Sequence, residues 1–155
     1  MITLQQNQES TYMATYPVFL SHSWVEQDGV ERITSLMETY RLKTEGFGYE
    51  YYSVSKDDPA QFLPSNKALA LSIEKQMKPC SCLIILAGVF EEFKRWANLE
   101  LDAAKKLGIP VILVEAADPK HTSHKEKRAA VEIVKWDAMQ LGDAIVRHAR
   151  LRKPS

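Results

Sequence analysis

Glu100 stands out first, because its neighbours along the chain are of the wrong kind for a charged residue. At about 100° per residue with Phe93 at zero, the segment from Glu91 to Leu107 puts Trp96 near 300°, Leu107 near 320°, Ala104 near 20°, Ala97 near 40° and Leu101 near 80°. These form one apolar arc, and Glu100 falls inside it at roughly 340°. Lys94, Lys105, Asn98, Asp102, Arg95 and Lys106 share the opposite side. A carboxylate on the apolar side must be paired with a cation, must face a cleft or must stay protonated, since an isolated buried charge is costly. In a cleft, one ionised carboxylate can bind hydroxyls and stabilise developing positive charge. The second constellation is Ser21-His22-Ser23-Trp24, two hydroxyls, an imidazole and an indole directly after a strand signal. Each has an ordinary alternative: a helix cap, a satisfied loop histidine, an aromatic over the core.

The elements that must bring these together alternate. Short apolar runs at Pro17–Ser21, Tyr49–Val54, Ser81–Ala87, Pro110–Glu115 and Glu132–Trp136 predict strands. Between them, Ile33, Leu36, Met37 and Tyr40 mark one helical face, and Leu69, Ile73 and Met77 mark a second after a cap at Ser65. The Glu91–Leu107 helix ends at Gly108 and Pro110, a helix is expected around Lys127–Val134, and the last runs from Met139 to Arg150. Parallel returns need crossovers, so the pattern predicts an α/β fold: a five-stranded parallel sheet of flavodoxin-like order 2-1-3-4-5, with helices on both faces. Ligands of such sheets bind at the carboxyl ends of the strands where the winding reverses, here between strands one and three. Ser21–Trp24 and the helix carrying Glu100 both converge there.

Composition limits the functions available. The chain has 155 residues, 45% of them apolar, which predicts one globular domain over residues 14–152 behind a disordered lead-in, 1–13. The nine apolar-rich residues from Cys82 to Phe90 fall short of a membrane span, and the N-terminal stretch lacks the shape of a signal peptide, so a cytoplasmic location without membrane partners is expected. Twenty basic residues balance twenty acidic ones, which removes the electrostatic argument for nucleic-acid binding. Cys80, Cys82, His121 and His124 give neither a disulfide framework nor a convincing metal set and are read as structural or incidental. Gly46-Phe47-Gly48 lacks the third glycine of a dinucleotide fingerprint, and Asp57-Asp58-Pro59 reads as a solvated turn. No metal or cofactor is expected.

Several segments carry a family resemblance: Tyr16-Pro17-Val18-Phe19-Leu20-Ser21-His22-Ser23-Trp24, Tyr52-Ser53-Val54-Ser55-Lys56-Asp57-Asp58-Pro59, Leu86-Ala87-Gly88-Val89-Phe90, Trp96 four residues before Glu100, and Glu132-Ile133-Val134-Lys135-Trp136. From Tyr16 to Arg150 the chain resembles bacterial TIR-like domains, in particular the branch that supplies the TIR component of Thoeris anti-phage systems. Glu115-Ala116-Ala117-Asp118 and Asp137 depart from the pattern, at a Pro-Trp-Gly turn and at an asparagine after the tryptophan.

The resemblance implies a TIR fold, NAD as substrate and Glu100 as the NAD-cleaving residue. Breaking the nicotinamide–ribose bond builds oxocarbenium character on the sugar, and nicotinamide leaves neutral from a cationic precursor, so one carboxylate suffices without a general acid. Ser21, His22 and Ser23 are then expected to line the substrate crevice. Trp24, Tyr52 and Trp96 would offer aromatic faces, and Lys56 a cation for the pyrophosphate. The resemblance further implies a homo-oligomer in which the segment 53–59 completes a neighbouring site, a phage-derived trigger, and an ADP-ribose-derived product that reaches a separate effector. A non-catalytic TIR-like adaptor acting by self-association and another nucleoside or nucleotide glycosyl transferase are the competing expectations.

Overall fold

The computed structural model describes residues 14–24, 29–53, 65–88, 94–115 and 123–150. Five parallel strands, β1 (Ala14–Leu20), β2 (Phe47–Tyr52), β3 (Cys82–Ala87), β4 (Val111–Glu115) and β5 (Ala130–Val134), form one sheet in the order β2-β1-β3-β4-β5. A 3-10 turn, His22–Trp24, follows β1. The helices are α1 (Gly29–Lys43), α2 (Asn66–Met77), α3 (Lys94–Leu107), α4 (His124–Ala129) and α5 (Ala138–His148). The expected doubly wound order is the observed one.

β3 sits at the centre and is apolar on both faces, so its Cys-Leu-Ile-Ile-Leu-Ala run feeds two cores rather than alternating in and out of solvent. Phe19, Leu83, Ile85, Val111 and Leu113 meet Leu69, Ile73 and Met77 of α2 and Ala97, Leu101 and Ala104 of α3 on one face. Val18, Leu20, Ile84, Ile112 and Val114 meet Ile33 and Met37 of α1 and Leu141 and Ile145 of α5 on the other. α1 and α5 pack on one face of the sheet, and α2 and α3 on the opposite face. The winding reverses between β1 and β3.

Local chemistry fixes the ends. Ser65 Oγ accepts from Ala68 N–H at 3.1 Å and Asp137 Oδ2 from Gln140 N–H at 2.8 Å, each capping the helix that follows. Asp137 thus does there what an asparagine would do. At the end of α3, Gly108 takes φ 70° while Ile109 N–H reaches Ala104 O at 2.8 Å, a left-handed stop that glycine makes at low cost. Cys80 and Cys82 are buried and form no disulfide, and burial pushes the Cys82 thiol up to about 12, which disfavours its thiolate.

The fifth unit differs from expectation. The helix expected around Lys127–Val134 is the single turn-and-a-half of α4, capped by Ser123 Oγ on Glu126 N–H at 3.1 Å, and the chain is already extended at Ala130. Val131, Ile133 and Val134 are β-branched and belong to β5, which begins two residues earlier than the expected Glu132 and ends at Val134 rather than Trp136. The lead-in 1–13, Phe93, His121 and Lys56 lie outside the described residues.

α1 and α5 cross closely at Gly142, where an added Cβ would lie 2.1 Å from Cγ and Cδ1 of Tyr40. Tyr40 is buried and donates its hydroxyl to Asp143 Oδ1 at 2.8 Å, so the ring has no room to swing aside. Gly142→Ala is therefore expected to cost about 2 kcal/mol after its gain in helix propensity, read as a lower urea midpoint at unchanged slope. A neutral result would mean that the α1–α5 spacing is set elsewhere.

Candidate functional site

β1 ends where the winding reverses, and its next residues turn inward. Ser21 N–H is held by Ile84 O of β3 at 3.0 Å, so Ser21 stays beside β3 while the 3-10 turn begins. From α3, Glu100 reaches the same point. Ser21 Oγ donates to Glu100 Oε1 at 2.7 Å, and His22 N–H donates to Oε2 at 2.9 Å. Ser21 Oγ in turn accepts from Ser23 N–H and from Ser23 Oγ–H, both at 3.1 Å, and Ser23 Oγ accepts from Leu86 N–H at 3.2 Å. The His22 ring stacks on Trp96, one helical turn before Glu100, with centroids 4.2 Å apart and planes 17° from parallel.

Glu100 is only 1% exposed. Burial pushes its carboxyl up to about 7, opposed by the hydrogen bonds from Ser21 and from the His22 backbone. Of the three options open to a carboxylate on an apolar arc, an ion pair is not the one taken among the described residues. Neutral donors, Ser21 Oγ–H and His22 N–H, face its two oxygens instead.

The other expected residues divide. Ser21, His22, Ser23 and Trp96 gather at Glu100, although one face of the Trp96 indole is already covered by His22. Trp24 is a correction: it is fully buried on the opposite face of the sheet, its indole N–H donating to Ile84 O at 3.0 Å and its ring 6.0 Å from that of Trp136, so it serves the core rather than offering a face to a ligand. Tyr52 stands on the outer strand in register with Phe19, with its hydroxyl on Glu50 at 3.2 Å. There it lines a groove of about 670 Å³ with Ser53, Ser72, Lys75 and Gln76, a lining that does not include Glu100. Lys56 lies outside the described residues.

A second buried carboxylate, Glu126 of α4, is not singled out by the hydrophobic pattern. It is 1% exposed, accepts from Gly88 N–H just past β3 at 3.4 Å, and burial pushes its carboxyl upward. The signal that could have found it is Ser123-His124-Lys125-Glu126, the spacing of a capping box, which also marks the true start of α4. Lys125 beside it reaches Asn98 and, at 3.6 Å, Asp102, tying α4 to α3.

A doubly wound parallel domain with a buried, neutrally solvated glutamate at its β1/β3 reversal is the class that these features define. The chain belongs to the family described as Thoeris protein ThsB, TIR-like domain, whose model matches residues 19–121, well over half its length and including both Ser21 and Glu100. No curated protein matches it in sequence. Among solved structures it is similar to translation elongation factor SelB from Methanococcus maripaludis, in complex with the GTP analogue GppNHp, at a TM-score of 0.53 and 11% identity over 93% of this chain. The chain spans 36% of that protein's length, and the likeness concerns the fold alone. A 3-dehydroquinate dehydratase-like protein from Bifidobacterium longum aligns over 88% of this chain and 95% of its own at 13% identity, with a TM-score of 0.42. Among the described residues no helix is long and apolar enough to cross a membrane.

Proposed function

We propose that this chain is an NAD-cleaving TIR-like enzyme of anti-phage defence, releasing nicotinamide at Glu100 and making a cyclic or conjugated ADP-ribose product that activates a separate effector. The observation that carries the reading is the buried Glu100 carboxylate at the β1/β3 reversal, held by Ser21 Oγ–H and His22 N–H beside Trp96. Ligands of this fold class enter at that reversal, and a carboxylate there in low dielectric acts strongly on the positive charge that develops on the ribose. Membership of the Thoeris family supports the defence role. No cofactor is needed, NAD being the substrate, and Lys56 is proposed to meet its pyrophosphate.

At 1% exposure Glu100 cannot touch a sugar until the fold around it opens. Such a site is closed at rest, which fits an enzyme switched on by assembly or by a phage-derived trigger. Purified protein is accordingly expected to release nicotinamide weakly at low concentration, with specific activity rising as copies associate and the segment 53–59 of one completes the site of another. The test is incubation with NAD and with other nucleosides, reading free base while light scattering reads mass. Strict proportionality of rate to enzyme at monomer mass would count against assembly. Release from other nucleosides but not from NAD would move the substrate.

A second reading is favoured by the same burial. With a neutral donor on each oxygen, Glu100 ties α3 to the turn after β1, a latch that a non-catalytic adaptor would also use. No base release from any nucleotide, at any concentration, would select it.

A further inference from the structure

The hydrogen bonds behind Glu100 run in one direction only. Leu86 N–H can donate but not accept, so Ser23 Oγ is the acceptor at 3.2 Å and its own proton is left for Ser21 Oγ at 3.1 Å. Ser21 Oγ also takes Ser23 N–H at 3.1 Å, which fills both of its lone pairs. Its single proton must then go to Glu100 Oε1 at 2.7 Å, while His22 N–H faces Oε2 at 2.9 Å. Each carboxylate oxygen therefore meets a donor, an arrangement suited to the anion. A proton on Oε1 would oppose that of Ser21 unless the whole row of hydroxyls turned round.

We propose that Ser23 is a positioning residue for Glu100: by occupying the last acceptor site of Ser21 it fixes the Ser21 proton on the carboxylate, holding Glu100 anionic and aimed. Ser23 is 6% exposed with its proton and an acceptor site both engaged inside the fold, so its part is to order Ser21 rather than to touch a ligand. The catalytic consequence rests on the NAD-cleaving reading, whereas the effect on Glu100 does not.

Ionisable groups on the surrounding elements do not supply this ordering. Glu74 of α2 pairs with Lys106 at 3.2 Å, Lys125 of α4 lies with Asn98 and Asp102, Glu126 holds Gly88 N–H, and the His22 ring lies on Trp96. Lys67 and Lys75 of α2 and Lys94, Arg95 and Lys105 of α3 are exposed.

The test follows the Glu100 carboxyl carbon by NMR across pH, assigned by its loss in Glu100→Gln, alongside NAD kinetics, in wild type, Ser23→Ala and Ser23→Thr. Removing the hydroxyl frees a lone pair on Ser21 and weakens its polarisation, and both changes favour the protonated acid. Ser23→Ala is expected to raise the Glu100 midpoint by roughly one pH unit and to lower kcat about tenfold below that midpoint, recovering at higher pH, with KM changed less than about twofold. Ser23→Thr restores both. An unmoved midpoint overturns the proposal, as does a rise in KM at unchanged kcat, which would make Ser23 a substrate contact. Should Ser23→Ala fail to fold, Ser23→Cys gives the same comparison with a near-isosteric but weaker donor and acceptor. A shifted midpoint in a protein that never cleaves NAD would sink the enzymatic reading and leave the relay standing.

Discussion

Glu100→Gln is expected to abolish nicotinamide release, lowering kcat by about 10³-fold or more, in a protein that still folds. The amide matches the carboxylate in shape and can turn its oxygen toward His22 N–H. Its NH2 then meets Ser21 Oγ, whose hydroxyl must rotate back toward Ser23. That reversal strands the Ser23 hydroxyl proton, a cost of about 1 kcal/mol, small against the stability of a domain of this size. What the variant loses is the negative charge, and with it the interaction that grows as the ribose becomes cationic. The measurement is base release at equal oligomeric mass, with circular dichroism confirming the fold. Turnover at the wild-type rate would remove Glu100 from the site.

The product requires a companion result. Small molecules filtered from triggered cells carrying the wild-type protein are expected to activate a co-encoded effector, whereas filtrates from Glu100→Gln cells are inert. A wild-type filtrate that contains only ADP-ribose and nicotinamide and leaves the effector idle would instead favour simple NAD depletion.

Side-chain type and period determine the part of this fold that is legible in the sequence. The order of the sheet follows from five apolar runs separated by helical ones, and Glu100 announces itself because it breaks a period that Trp96, Ala97, Leu101 and Ala104 otherwise keep. Its partners were hidden for a physical reason. A buried carboxylate suggests a cation, but one of its two donors is a backbone N–H, which every residue except proline carries and no residue type reveals. Trp24 is misleading in a related way: its place in the loop after β1 is right, yet which side of the sheet receives the ring is decided by Ile84 O and the α1–α5 core. The α4–β5 unit fails because six helical residues are too few to show a 3.6-residue period, and the Ser123 to Glu126 cap is its remaining signal.

The burial of Glu100 also has a consequence for stability that its chemistry does not require. In the unfolded chain the group titrates near 4.5, and in the fold burial pushes it up to about 7. Between these values the native state holds a proton that the unfolded chain has already released, so stability falls as pH rises. The contribution is whole below the unfolded value, shrinks through the interval and is gone above the folded one, a loss of about 3 kcal/mol. Glu126, also shifted upward by burial, adds to the same trend, so wild type alone would not isolate Glu100. The difference between wild type and Glu100→Gln does, because glutamine never ionises and Glu126 is common to both. Urea unfolding is expected to find the two proteins within about 1 kcal/mol of each other at pH ~5, where the protonated acid turns the Ser21 and Ser23 hydroxyls round as glutamine does, and the variant ahead by about 3 kcal/mol at pH ~8. Parallel stability curves for the two proteins would mean that Glu100 is ionised throughout, its Ser21 and His22 donors outweighing its burial. In that case the group needs no activation to act on a cation, and exposure of the site becomes the step that controls turnover.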